Sequence, residues 1–268
     1  MAGCPLGACL REAAPRRVIR AGAGCPVACH SVAAKKVAAI LAPWDERVIA
    51  RQLGRRPRPG TEVCRRCRYN YPQVTATPPV SRRDGGWDMF PTVYWLTCPL
   101  LVRAIGRLEA AGWIARYEQR LAEDPAFAAA LMRAHAAAAR DRIDRVPPAW
   151  REELARDYPR QWQVLAESGV GGTRFFMGVK CLHAHYADFI GRGDNPIGQA
   201  VHEQLLAAGV PADGTDTCWQ WCAVDEAGGQ RDKPRAHEQE AADKQAEAVG
   251  QAEVPRENPG GPRVHKGD

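Results

Sequence analysis

Apolar positions along this chain change their period twice. Between residues 43 and 55, in PWDERVIARQLGR, Val48, Ile49 and Leu53 share one helical face and Gly54 follows as a stop signal, which predicts a short opening helix. The period then shortens. TEVCRRCRYNYPQVTATPPV and FPTVYWLTCP are short runs rich in β-branched and aromatic residues, punctuated by proline and by RRDGGWD, whose Asp84, Gly85 and Gly86 mark a turn. In the second run Phe90, Thr92, Tyr94 and Leu96 alternate with Pro91, Val93, Trp95 and Thr97. Both sides carry bulky groups, so the expected strand is covered on two faces.

From Pro99 the helical period returns. Leu101, Ile105, Leu108 and Gly112 step by four, three and four, and Phe127, Leu131, Ala134 and Ala138 repeat the step. Asp124 and Pro125 supply a cap and first turn for the second of these helices; Pro147 and Pro148 stop it, and AWREELARDY restarts. After the Gly-rich SGVGGTRFFMG, the runs VKCLHAHYADFI and QAVHEQLLAAG read as helices. Between them GRGDNPIG offers Asp194 or Asn195 as a cap ahead of Pro196. No internal repeat is visible. The expected fold is α+β, a helix-dominated single domain over residues 43–222 with a small antiparallel β-meander near its N-terminal end. Residues 1–42 hold no persistent apolar period and read as a flexible or non-native extension. Residues 223–268 lack aromatics and are rich in Glu, Gln, Ala, Gly and Pro, the composition of a disordered tail.

Composition narrows the class. At 45% hydrophobic and 25% charged residues, the chain can build a sizeable core. It has no apolar run long enough to span a bilayer, and no basic stretch leading into an apolar one at its start. The expected setting is cytoplasmic, away from membranes. The net charge of +6 comes from arginines scattered along helices rather than from a block, which gives no strong nucleic-acid signal. Ten cysteines then need a role, and a reducing compartment leaves buried thiols, metal ligands or reactive groups.

Three of those cysteines stand at the ends of expected elements. Cys67 precedes the RYNYPQ turn, Cys98 closes a strand ahead of Pro99, and Cys181 lies at the start of its helix. Three thiolates and one imidazole make a standard closed zinc set. Within the helix Cys181 and His185 share a face, whereas His183 comes within reach only if Cys181 precedes the helix proper. Asp188 is placed to orient an imidazole from behind. Using Cys218 or Cys222 in place of the histidine gives four thiolates, which suit zinc or an iron–sulfur cluster. The expected role of such a centre is mainly structural. By contrast, Cys25, Cys29 and His30 have no second ligand pair nearby.

Two other readings compete. Cys181 at a helix start, with His183 or His185 as base, has the elements of a thiol-dependent hydrolase or transferase. A phosphate- or nucleic-acid-binding module is the third, with a phosphate-bearing ligand on the helix start at Arg192, Asp194 and Asn195.

Three motifs in order, FPTVYWLTCPLLVRAIGRLEAAGWI, VKCLHAHYAD and GDNPIG, resemble the bacterial domain of unknown function (DUF) 501 family, from about Trp44 to about Gly209. The resemblance matches Cys67 with Pro72 and Val74, the LTCP of Leu96 to Pro99, and the KCLH of Lys180 to His183. It therefore places His183 in the pattern. Cys64 is an addition to it, and Asn70 stands where a glycine is more usual. The resemblance implies no activity.

Overall fold

A computed structural model describes residues 41–83 and 85–224. The expectations for Cys25, Cys29 and His30, for Asp84, and for most of the two terminal segments lie outside the described residues. The opening helix α1 is Pro43–Leu53, with proline at its first position and Gly54 closing it in the left-handed conformation at φ 67°. Asp45 in its first turn accepts a bidentate pair of hydrogen bonds from Arg66, at 2.7 Å each, and so fastens the helix to the sheet.

Five short strands follow: β1 Glu62–Arg66, β2 Pro72–Ala76, β3 Val80–Arg83, β4 Gly86–Met89 and β5 Tyr94–Leu96. β1, β2 and β5 form an antiparallel sheet with β2 at its centre, and β2 is buried along its whole length. The register sets Val74 opposite Leu96 and Ala76 opposite Tyr94. The β1–β2 turn bends at Asn70, whose φ of 64° explains why this position accepts glycine or asparagine. β3 and β4 pair only with each other, so the meander is a three-stranded sheet with a hairpin inserted before its last strand. The strand expected over 90–97 is shorter than its alternation suggested. Proline at 91 has no N–H to give a ladder, and regular pairing begins only at Tyr94.

Eight helices account for most of the described chain. After α1 come α2 Pro99–Ala110, α3 Trp113–Glu123, α4 Pro125–Asp144, α5 Pro148–Asp157, α6 Pro159–Glu167, α7 Leu182–Arg192 and α8 Pro196–Ala207. Helices α3 and α6 were not separated in the sequence. A left-handed Gly112 at φ 80° breaks α2 from α3, and Tyr158 breaks α5 from α6. The two caps expected at Asp124 and Asn195 form as side-chain acceptors for Phe127 N–H and Gly198 N–H. Helix α7 lies on the sheet and is covered by α2 and α8; Val74, Ile105, Leu182, Tyr186, Ile197 and Val201 meet in that core. A smaller cluster seats the hairpin on α5 and α6 through Val80, Val146, Leu154 and Leu165, with Trp87 and Trp150 packed against it.

Candidate functional site

Cys181 turns out to be the residue before α7 rather than part of its first turn. Its backbone is extended, at φ −170° and ψ 128°, and it occupies the N-cap position. The thiol therefore does not follow the helical spacing that would pair it with His185. Instead Cys181 Sγ lies 3.6 Å from His183 Nδ1.

The third member comes from α2. Glu109 Oε1 is 3.1 Å from the same His183 Nδ1, and it accepts the Leu182 N–H at 2.6 Å. His183 Nε2 donates to the Val102 carbonyl at 2.9 Å, so that nitrogen carries a proton. One α3 carboxylate completes the frame: Glu118 accepts the Val179 N–H at 3.0 Å. Two acidic residues from neighbouring helices thus pin the chain on either side of Cys181. Among the described residues, Glu109, Cys181 and His183 are the one set of three Cys, His, Asp or Glu ligand atoms that all lie within 4.8 Å of one another.

Glu109 was not visible as a candidate in the sequence, although a signal existed. It is the only acidic residue of α2 and it sits in the last turn, where the negative end of the helix dipole disfavours a carboxylate. The Leu182 amide and the His183 ring supply the compensation. Burial alone would push the His183 pKa down, but the Cys181 sulfur, the Val102 carbonyl and the Glu109 charge outweigh it and raise it to about 9. The side chains of His183 and Glu109 remain about a quarter exposed, so the cluster is reachable from solvent.

The other sequence candidates lie elsewhere. Cys67 and Cys98 are not in this set. Cys98 is buried at the start of α2, and burial pushes its thiol up to about 12. His185 is fully buried on the inner face of α7, with Nδ1 3.3 Å from the Asn195 amide. Asp188 accepts from Arg192 and from Asn195, and so reaches His185 only through that amide. Of the residues considered for phosphate, Arg192 points inward onto Asp188 and Asn195 caps α8, while Asp194 is exposed.

His185 has a buried neighbour that the sequence had passed over as filler. His135 of α4 lies with its ring centroid 5.9 Å from that of His185, and its Nδ1 accepts the Val170 N–H at 3.0 Å. Burial lowers both imidazoles to about 4. Because a depressed histidine binds its proton more readily when unfolded, its stabilisation is complete above about pH 6.5 and lost as pH falls toward 4. Each should cost roughly 2 kcal/mol between pH 7 and 5. His183 moves the opposite way and returns about 1 kcal/mol over the same interval. Urea midpoints at the two pH values should therefore show a clear net loss at pH 5; equal midpoints would mean that these rings are not held neutral.

Comparison with known proteins bears on the family alone. Residues 63–203 match the model of a family described as protein of unknown function (DUF501). No curated protein and no solved structure matches the chain.

Proposed function

Since the chain belongs to the DUF501 family, whose description leaves its role open, we propose from its own geometry that it is a metal-binding protein, with Glu109, Cys181 and His183 as ligands. The spacing of the three ligand atoms carries this reading. A tetrahedral zinc held by sulfur, nitrogen and oxygen at ordinary bond lengths sets sulfur and nitrogen about 3.5 Å apart, and nitrogen and oxygen about 3.3 Å apart. The corresponding separations are 3.6 and 3.1 Å. The Val102 carbonyl adds a second argument. By taking the Nε2 proton it fixes the tautomer and leaves the Nδ1 lone pair for a metal.

A single thiolate beside imidazole and carboxylate suits zinc better than an iron–sulfur cluster, which is held mainly by cysteines. Three protein ligands at a partly exposed position also leave a fourth place for water or a substrate atom, the arrangement of reactive zinc rather than of a closed structural site. When bound, such an ion supplies a Lewis acid. Glu109 and Glu118 hold the Cys181 backbone in place, and the Val102 carbonyl orients the ring.

Metal analysis of tag-free protein tests this. About one zinc per chain is expected after zinc loading and dialysis, falling below about 0.2 in Glu109→Gln, Cys181→Ser and His183→Ala. A stoichiometry unaffected by all three substitutions would overturn the assignment.

One observation favours a second reading. Cys181 caps a helix start and its sulfur is beside an imidazole, which is the setting of a thiolate nucleophile. In that case metal-free protein should react with iodoacetamide at Cys181 near neutral pH, well ahead of its buried thiols, and lose that advantage in His183→Ala.

A further inference from the structure

Three separate stretches of chain bring four other thiols to one end of the three-stranded sheet. Cys67 follows β1, and its N–H bonds the Tyr71 carbonyl at 3.0 Å across the turn. The Cys98 N–H meets the Gln73 carbonyl at 3.3 Å. Cys222 is tied to the same place by one amide: Gln52 Nε2 donates to its sulfur at 3.2 Å and to the Pro72 carbonyl at 2.8 Å. Cys218 donates its S–H to the Thr215 carbonyl at 3.4 Å, and that carbonyl also accepts the Tyr69 hydroxyl at 3.0 Å. All four thiols therefore gather around residues 69–73.

We propose that Cys67, Cys98, Cys218 and Cys222 form a second metal centre, built on four thiolates. Their surroundings favour thiolate over inert thiol at two of the four. The Gln52 amide donates to the Cys222 sulfur, and the Leu100 and Leu101 amides at the start of α2 pull the Cys98 pKa down against burial. Donors of this kind stabilise sulfur ligands of metals. The thiols also feel one another's charge, Cys67 acting on Cys218 and Cys222, and these two on Cys98. A metal would relieve that repulsion.

The segment after α8 gives a structural reason for a centre here. It has little regular structure of its own, and it is held to the sheet through the Arg68 N–H on Asp213 and the Gln73 side chain on Ala212. A four-thiolate centre would join it covalently to two strands and a helix. Among the described residues no three of these sulfurs lie within 4.8 Å of one another, whereas one tetrahedral zinc would set them about 3.8 Å apart. The wider spacing favours a cluster of several irons.

The test uses full-length, tag-free His183→Ala protein, which lacks the first site, purified without oxygen. Reconstitution with iron and sulfide should leave about four of each per chain and a broad absorption near 400 nm; if the centre is a single ion, zinc loading should leave about one zinc instead. Adding Cys98→Ser and Cys222→Ser should lower either value at least fivefold. Less than about 0.2 of any metal in His183→Ala would overturn the proposal while leaving the first site standing. Should the multiple variant not fold, alkylation decides. N-ethylmaleimide should label the four cysteines of loaded His183→Ala protein only after a chelator is added, and equal labelling with and without chelator would refute the centre.

Discussion

Arg142→Ala is expected to destabilise the protein by about 4 kcal/mol or more, enough to remove most of the folded material from a soluble preparation. Arg142 is 1% exposed and lies on α4, facing inward. Its guanidinium donates to four backbone carbonyls: Pro91 at 2.6 Å, Leu165 at 2.7 Å, Ser168 at 2.8 Å and Gly169 at 2.7 Å. It also reaches the Ser168 hydroxyl at 3.1 Å. These acceptors belong to the loop before β5, the end of α6 and the turn that follows, so one side chain joins three connections that have no ladder of their own. No carboxylate bonds it directly. Burial lowers its pKa to about 10, with Asp188 and Asp141 acting against that from a distance, and the charge persists at neutral pH. Alanine would leave four buried carbonyls without a donor, each costing about 1–3 kcal/mol before any water enters. Lysine keeps the charge but not the planar fork, so Arg142→Lys should fall between the two. Equilibrium urea denaturation measures both; a loss below about 1.5 kcal/mol for alanine would show that water replaces the guanidinium at little cost.

Arg142 also shows where the sequence stopped being legible. In AAAARDRIDR every arginine looks like part of a solvated helical face, because a helix pattern reports which side chains are apolar and not which polar ones turn inward. Local rules fared better. Gly54, Asp124 and Asn195 end or cap helices where their chemistry placed them, because those signals act within one turn. The strand expected at 90–97 was shortened by Pro91, a signal that was present and under-weighted. At the candidate site Cys181 and His183 were named in advance and do meet. The helical spacing argument favoured His185, because it assumed that the helix begins before Cys181 rather than after it. Glu109 lies seventy-odd residues away from them, and no spacing rule links a helix C-terminus to a helix N-terminus that folds against it. Only its unfavourable position in the last turn of α2 marked it.

The second large effect is expected at Asp188, on the same helix as the candidate ligands. Its carboxylate is buried, and it accepts from Arg192 Nε at 3.0 Å, from Arg192 Nη2 at 2.7 Å and from Asn195 Nδ2 at 2.9 Å. Burial pushes its pKa up, and Arg192 and Asn195 oppose that; the bidentate geometry requires the ionised pair. Asp188→Ala would leave the Arg192 charge largely buried without a partner, a change worth about 3–5 kcal/mol. It would also release Asn195, which caps α8 with its other side-chain atom and touches His185. Removing both charges in Asp188→Ala/Arg192→Ala should cost less than the two single losses combined, because no unpaired ion remains. Simple addition of the two losses would show that the pair contributes nothing beyond its separate contacts. Metal content separates this role from that of the site. Glu109, Cys181 and His183 sit at the other end of α7 and are fixed by α2 and α3. Folded Asp188→Ala protein should therefore still bind about one zinc per chain. Loss of zinc with the fold intact would mean that the interior of α7 sets the ligand geometry, and that the amides held by Glu109 and Glu118 do not suffice.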